Sequence, residues 1–402
     1  MVKRILTEKD VFLKKIFKKY YYNNVTKIAA PAKLLEREIG YLTFSPERMI
    51  RHLNLKNEGE LRALILHEVP KAVYYSSAYY DDPSAPINSR IWKGADLIFD
   101  IDLDHLPIVE GLMETLFICN DCRNFFSNTN EKNCPNCGSQ KIEEIKIATK
   151  KGLEYCKQEI VKLSDVLIRD FGLSKNDFKI YYSGKRGYHL TVENSQYENA
   201  DQTFRLELSN YLTLNGFRLR RIIDERSSSE QQAYLFPVPW TKSWLGRFSK
   251  EFCESILHLS VNGLDEDFFR KTILEYLLKI PHKDLSTILE SVKQNLSIKI
   301  DVAVTTDIHR IFRMPDTLHG GTGFIKKKIG DINSFSPLVD AVVLSEEQTK
   351  VHVFYSPKFE LKEQQFGPYN NQEVVLPEMA AVFLVAMNLA EPLEDDQNHL
   401  NK

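Results

Sequence analysis

Four of the six cysteines stand in two close pairs, Cys119-x2-Cys122 and Cys134-Pro-Asn-Cys137, separated by eleven residues and followed at once by Gly138. Two knuckles at this spacing gather four thiolates round one tetrahedral ion, which confines the chain between them to a short clasp. The chain starts MVKRILTEKDVFLKKIFKKYYYNN, without the apolar run and small-residue cleavage site of a secretion signal, so the pairs point to Zn²⁺ rather than to disulfides. This start reads as a mature cytoplasmic terminus. A closed four-thiolate site is structural, and the module at about residues 117–140 either touches a ligand or is a plain clasp. Cys156 and Cys253 are expected to be inert core thiols.

Just before the clasp, Leu97, Phe99, Ile101 and Leu103 alternate with Asp96, Ile98, Asp100 and Asp102. Alternation with period two is the mark of a strand, and residues two apart leave one face of it. Asp100 and Asp102 therefore point the same way while Phe99, Ile101 and Leu103 pack the other. Two carboxylates held this close repel unless a cation joins them, and hard oxygen ligands suit Mg²⁺ or Mn²⁺. Such a pair can support two metals about 3.5–4 Å apart for displacement at a phosphate. The alternative for an isolated Asp-x-Asp is a turn at a strand end.

Two further segments carry chemistry. Ser183-Gly184-Lys185-Arg186-Gly187-Tyr188-His189 reads as a strand, a basic turn flanked by glycines and a second strand, over Phe178–Ser183 and Tyr188–Val192. Its hydroxyl, ammonium, guanidinium and imidazole suit phosphate; the alternative is a hairpin whose charges are solvated. The segment Ile300-Asp301 to Thr322-Gly323 offers a strand-end carboxylate, Arg310, Arg313, His309, His319 and a glycine-rich turn. Asp307 with His309 is read in preference as a helix cap with a buried histidine.

Elsewhere, Thr7 with Asp10 resembles a helix start, followed by Val11, Phe12, Ile16 and Phe17 at helical spacing. Helical pattern also covers residues 61–80, Leu153–Phe171 and most of 251–296, while Leu296–Val302 and Val351–Tyr355 read as strands. The tyrosines within 71–80 are expected to pack rather than to stack on bases. The apolar run Met379–Ala390 has about 12 residues, short of the roughly 20 that span a bilayer, so no membrane segment is expected and Pro377 should start a core helix. Mixed strands and helices without a regular βαβ rhythm argue for an α+β core with insertions. At 402 residues and 43% hydrophobic content the chain can fill such a core. Its 53 basic and 55 acidic residues nearly cancel, so a nucleic-acid partner would have to be met by local basic patches. Lys14, Lys15, Lys18 and Lys19, then Arg218, Arg220, Arg221 and Arg226, then Lys326, Lys327 and Lys328 are such patches, or simply solvated surface.

Taken together, these residues resemble the archaeo-eukaryotic primase family, in its archaeal small catalytic subunit branch. Trp92-x3-Asp96-Leu-Ile-Phe-Asp100-Ile-Asp102 looks like its metal signature, Ser183–His189 its phosphate turn and Ile300–Gly323 its third block, in the family's order and with zinc cysteines in the expected gap. The likeness extends from Tyr74-Tyr75-Ser76-Ser77-Ala78 to Leu376-Pro377. It implies an α+β primase core of mixed sheets flanked by helices, one half resembling an RNA-recognition motif. That catalytic domain would cover residues 1–390, with the zinc module, a mainly helical insertion at about 250–296 and an acidic tail at 391–402. It further implies template-directed primer synthesis on single-stranded DNA from nucleoside triphosphates. Asp100, Asp102 and Asp301 would hold Mg²⁺ or Mn²⁺, and Ser183, Lys185, Arg186, His189, Arg313 and His319 would contact the triphosphate. The implied partner is a large, iron–sulfur-containing subunit, for whose cluster this chain has no second cysteine quartet. Two positions depart from the family: Gly321 stands where a lysine is common, with Lys326, Lys327 or Lys328 as substitutes, and Lys185 replaces a frequent arginine.

Three rival classes share some of these features. A repair-type primase-polymerase would extend existing ends, but no fused ligase, nuclease or helicase segment is present. A non-catalytic zinc-containing nucleic-acid-binding subunit would need Asp100 and Asp102 satisfied without metal. A metal-dependent nuclease would have little use for the basic turn.

Overall fold

The computed structural model describes residues 7–106, 110–126, 132–193, 195–217 and 228–393. The protein is α+β, built from several small antiparallel sheets and the helices that cover them. At its centre four strands lie in the order Lys327–Ile329, Phe178–Tyr182, Gly187–Val192 and Leu97–Asp102. On one face of this sheet Leu97, Phe99, Ile101, Tyr188 and Leu190 enter the main core. They meet the helix Lys150–Phe171, whose Leu153, Cys156, Ile160, Leu163 and Leu167 recur at helical spacing. Thr149 caps this helix by accepting the Gly152 N–H at 3.0 Å, and Gly172 ends it in the left-handed region. The other face carries Asp100, Asp102 and His189. Beside it Ile98 packs with Val304 and Phe312, which belong to the short helix Val302–Thr306 and the strand Ile311–Arg313.

That last strand opens a second sheet, in the order Ile311–Arg313, Ala72–Ser76, Ile39–Leu42 and Met49–Leu53. Residues 72–80 thus differ from the helical reading. The helix Glu58–Glu68 stops at Val69, whose φ is 48°, and Pro70 can neither donate an N–H nor leave its predecessor helical. Beyond it, β-branched and aromatic residues form the strands Ala72–Ser76 and Ala78–Tyr80, with Tyr75, Tyr79 and Tyr80 buried as packing residues. The N-terminal helix Glu8–Asn24 forms as read, Thr7 accepting the Asp10 N–H at 3.2 Å. It buries Leu13, Ile16, Phe17, Tyr20 and Tyr21, whereas Val11 is exposed.

The segment Leu296–Val302 is not a strand. Its backbone bonds go to scattered partners: Ile298 N to the Leu212 carbonyl at 3.0 Å, Lys299 N to Glu159 Oε2 at 3.1 Å, and Asp301 N to the Asp100 carbonyl at 2.9 Å. The segment is therefore moored to three elements and ladders with none. Gln348–Ser356 does form a strand, between Tyr369–Pro377 and Ala390–Pro392. Glu391 thus belongs to a sheet and not to a frayed tail; residues 394–402 lie outside the described ones. The apolar run folds as the helix Glu378–Ala386 after Pro377, entirely buried. Helices Ser229–Leu235, Trp244–Ser255, Glu266–Lys279 and His282–Leu296 enclose a separate core of Phe236, Phe248, Phe252, Phe269 and Leu289. Among the described residues no helix is long and apolar enough to cross a membrane.

The first residue of the aspartate run is clamped. Arg37 and Asp96, both nearly fully buried, form an ion pair at 2.6 Å, and Tyr79 donates its hydroxyl to the same carboxylate. Arg205, equally buried, donates to the carbonyls of Asp96 and Ala95 at 3.0 Å each. Removing one member of a buried pair strands the other charge, so Arg37→Ala should cost about 3–5 kcal/mol of stability. Urea unfolding of the variant against wild type measures it, and a loss below about 1 kcal/mol would place the pair in the class of exposed ones.

Candidate functional site

The central sheet sets the register of the site. Asp100 pairs with His189 and Asp102 with Gly187, so the carboxylates stand beside the basic turn. The turn can come this close because position 187 has no side chain. A Cβ there would lie 2.1 Å from the Ile101 carbonyl oxygen. Gly184 has φ 87°, a conformation that side chains resist. Ser183 organises the loop: its N–H donates to the Gly187 carbonyl at 2.8 Å, and its hydroxyl accepts the Gly187 N–H at 3.2 Å.

His189 Nε2 lies 3.2 Å from Asp100 Oδ1. Burial holds the imidazole below its ordinary pKa despite the carboxylate, so a neutral His189 donates to an ionised Asp100. Burial alone would raise the Asp100 pKa, but His189, Arg310 and His105 bring it below the usual carboxylate value. Asp102 Oδ1 accepts the Asp104 N–H at 3.0 Å and stands 3.7 Å from Arg186 Nε. Asp301 is not at a strand end as the sequence suggested. It caps the helix Val302–Thr306, accepting from Ala303 N at 2.9 Å and Val304 N at 3.2 Å, while its other oxygen faces His105 Nε2 at 3.3 Å. The tie from Asp301 N to the Asp100 carbonyl keeps this third carboxylate on the site face. Side-chain exposures of 17%, 22% and 13% for Asp100, Asp102 and Asp301 leave all three half-buried at an open edge. Their oxygens are not drawn as close together as the four thiolates described below.

The third block is stitched to the turn. Arg313 donates to the Ser183 carbonyl, and Thr322 donates to the Gly184 carbonyl at 2.7 Å. The glycine-rich segment is a tight turn, His319 N donating to the Phe324 carbonyl at 2.7 Å. Gly321 N donates to His319 Nδ1 at 2.8 Å, which leaves Nε2 as the N–H donor of a neutral ring. Burial, then Arg313, Lys185 and Arg186, push the His319 pKa well below its ordinary value. Burial and neighbouring Arg186 also lower the Lys185 ammonium. Ser183, Lys185, Arg186, Arg313 and His319 are thus gathered at one corner of the sheet, with His189 set inward against Asp100.

Two expectations fail here. Lys326 is not part of a surface patch: it is 1% exposed, donates to the Arg313 carbonyl at 2.9 Å and lies 4.8 Å from the Tyr181 ring centroid. Burial, reinforced by Arg313, lowers its pKa to about 7. Asp307 follows the short helix and accepts from His309 N at 2.9 Å, while His309 is half-buried and stacked on Tyr80, not enclosed. Arg218, Arg220, Arg221 and Arg226 lie outside the described residues.

Sequence reading also missed neighbours of these residues: Asp104, which faces Arg186, His105, which faces Asp301, Lys146, which faces Asp104, and Lys71, whose ammonium is ion-paired with Glu47. Asp104 and His105 continue the acidic run by a turn that shows no periodicity. Lys71 comes from far along the chain to lie across Gly320, where a Cβ would sit 2.2 Å from its Cγ. No local pattern announces such a contact.

The four knuckle cysteines converge as their spacing requires, with ligand atoms within 4.8 Å of one another, the only such set of three or more metal-type ligands among the described residues. Cys119 ends the first strand of the sheet Met113–Cys119, Phe125–Phe126 and Ile142–Ala148, and the other three lie in turns and loops between those strands. The Asn136 amide and the Asn124 N–H pull the Cys122 thiol down to about 6, favouring the thiolate that a metal needs. The set can hold a metal such as zinc. Cys156 and Cys253 are fully buried with raised pKa values, as inert thiols should be.

The site therefore sets two strand carboxylates, Asp100 and Asp102, in register with a glycine-flanked basic turn, on an α+β frame that carries a four-cysteine clasp. The family profile described as DNA primase small subunit matches residues 135–330. The DNA primase small subunit of Nitrosopumilus maritimus is 37% identical over 391 residues, covering 96% of this chain and 99% of its own length. That of Archaeoglobus fulgidus is 33% identical over 385 residues, covering 93% and 96%, and that of Cenarchaeum symbiosum 30% over 384 residues, covering 95% and 99%. The chain belongs to the DNA primase small subunit family. It is the catalytic subunit of a primase, a nucleotidyltransferase that makes primers for DNA replication.

Buried Lys326 has a thermodynamic signature. Between about pH 7 and its ordinary 10.5 the unfolded chain binds a proton that the folded chain does not, so this residue makes stability rise with pH. Lys326→Met abolishes the titration, and its stability relative to wild type should fall between pH 7 and pH 9 in denaturant melts. A difference that stays level or grows over that interval would mean that Lys326 is charged in the folded protein.

Proposed function

We propose that Asp100, Asp102 and Asp301 hold the catalytic Mg²⁺ or Mn²⁺ and that Ser183, Lys185, Arg186, His189, Arg313 and His319 receive the incoming nucleoside triphosphate on a single-stranded DNA template. The observation that carries this reading is the strand register, which sets Asp100 against His189 and Asp102 against Gly187, with the cations at the adjoining corner. The donor set fits the metals: hard carboxylate oxygens on one half-buried face, with space left for phosphate oxygens. When bound, the metals supply Lewis-acid charge stabilisation at the attacking 3′ oxygen and the leaving pyrophosphate. The chain's own residues do the rest. His189 keeps Asp100 oriented and ionised, the helix N–H groups fix Asp301, and Lys185, Arg186 and Arg313 neutralise the triphosphate. His319, held with Nε2–H outward by Gly321, adds a neutral donor. Burial, with the neighbouring guanidinium groups, lowers the Lys185 and His319 pKa values, and a polyanion bound at this corner would offset the repulsion among the cations, which favours a triphosphate over an uncharged ligand.

Gly321 stands where the family commonly has a lysine. The tight turn instead folds the glycine N–H onto His319, and Lys71 crosses the neighbouring Gly320. Zn²⁺ on Cys119, Cys122, Cys134 and Cys137 is assigned a structural role. The remaining proposals are a primase core with one half like an RNA-recognition motif, a large iron–sulfur subunit as partner, and the cytoplasm as location.

Asp100→Ala and Asp102→Ala should each reduce primer synthesis on unprimed single-stranded DNA by at least about a hundredfold, the scale of the several kcal/mol a metal contributes to such a transition state. Their circular dichroism should remain that of wild type. Normal synthesis by a folded variant would remove the assignment, and parallel reactions with a pre-made primer separate initiation from extension of existing ends. Running both nucleotide sets with and without the large subunit defines the product. Zinc removal offers a separate check: a chelator should release one zinc per chain and expose four thiols to a thiol reagent. Release without newly reactive thiols would contradict the clasp.

A further inference from the structure

Arg186 stands between two carboxylates. Its Nε is 3.7 Å from Asp102 Oδ1, buried and without a hydrogen-bond partner, while its Nη2 is ion-paired with Asp104. Asp104 lies in the turn Leu103–His105 that ends the aspartate strand, and its own N–H donates to Asp102 Oδ1 at 3.0 Å. The other Asp104 oxygen is 3.9 Å from Lys146 Nζ. Lys146 belongs to the strand Ile142–Ala148, paired along its length with Met113–Cys119, the strand that ends in the first knuckle cysteine. A line of alternating charge therefore runs from the zinc-module sheet to the phosphate turn.

We propose that Asp104 is a positioning residue that draws Arg186 off Asp102, leaving that carboxylate open to a divalent metal and the guanidinium aimed at the triphosphate. The inference rests on the roles given to Asp102 and Arg186 under the proposed function. A guanidinium grips a carboxylate with two parallel N–H groups when nothing prevents it. Closed on Asp102 in that way, Arg186 would compete with the metal and be lost to the nucleotide. Asp104 prevents this by taking the Nη2 end, and Lys146 holds Asp104 from behind. The ion pairs are partly exposed, so their contribution to global stability is small and their effect falls on function.

The test compares Asp104→Asn, Asp104→Glu and Lys146→Ala with wild type, using Asp102→Ala and Arg186→Ala as controls, all in the full chain. Mn²⁺ affinity is read from loss of the free-ion electron paramagnetic resonance signal, and nucleotide KM and kcat from primer synthesis. Asp104→Asn should weaken Mn²⁺ binding and raise KM, each roughly tenfold, the scale of one charge-assisted hydrogen bond. Its kcat should change less and its melting temperature not at all. Asp104→Glu should recover most of the loss, and Lys146→Ala should shift both values the same way by a smaller factor. Wild-type Mn²⁺ affinity and KM in Asp104→Asn, or a loss confined to kcat with a lower melting temperature, overturns the inference. If that happens while the controls fail to prime, the inference alone is lost; if the controls prime normally and Asp102→Ala binds Mn²⁺ as wild type does, the site assignment falls and takes the inference with it.

Discussion

The antiparallel register between Leu97–Asp102 and Gly187–Val192 is the constraint on which the site depends. Side chains alternate faces along a strand, so a slip of one residue would send Asp100 and Asp102 into the main core and bring Phe99 and Ile101 to the surface. Three features hold the register. The Lys150–Phe171 helix covers the apolar face, Arg37 and Arg205 clamp Asp96 at one end, and Gly187 permits close backbone approach at the other. The first two act away from the site carboxylates, while Gly187 is the strand partner of Asp102. Each acts by making the alternative pairing costly, through exposed apolar surface, a stranded buried charge or a steric clash.

The same register explains why so many cations can share one corner. Burial first, and then the positive neighbours they share in Arg186 and Arg313, lower the pKa values of Lys185 and His319 at this corner. Backbone carbonyls fix them in place regardless: Ser183 accepts from Arg313, Arg313 accepts from Lys326, and Gly184 accepts from Thr322. The block after Asp301 thus braces the turn between the two strands. Lys326, its pKa lowered to about 7 by burial and by Arg313, supports Arg313 through that residue's carbonyl.

What could be read in the sequence follows from how local each signal is. The four-cysteine clasp, the aspartate strand and the glycine-flanked turn are set by spacing within a few residues, and each forms where the pattern put it. The α+β class was legible for the same reason. Residues 72–80 misled because tyrosine and alanine fit a helix as well as a strand, and Pro70 had more weight than the periodicity. Asp301 misled because a carboxylate before Val-Ala-Val-Thr-Thr looks like a strand end until its oxygen accepts helix N–H groups. Lys326 was counted as surface charge because a run of three lysines carries no sign of which one points inward. Lys71 and Lys146 reach the site only through tertiary packing, which no window of sequence records.

The two additions to the catalytic sheet differ in how they are attached. The helices from Ser229 to Leu296 bury Phe236, Phe248, Phe252 and Phe269 among themselves, in a core distinct from the one beneath the aspartate strand. They remain tied to the rest of the molecule through Arg247, ion-paired with Asp170 of the long helix at 2.9 Å, and through Trp244 N, which donates to the Tyr211 hydroxyl at 3.3 Å. The cysteine-bearing sheet instead contributes Leu116, Ile118, Ile145 and Ile147 to the main core, and Gly152 at the start of the long helix packs so closely that a Cβ would lie 2.1 Å from the Leu112 carbonyl oxygen. The four cysteines, a set that can hold a metal, thus stand on a surface shared with the long helix under the aspartate strand. The clasp is thereby tied to the core that covers the apolar face of the sheet bearing Asp100 and Asp102.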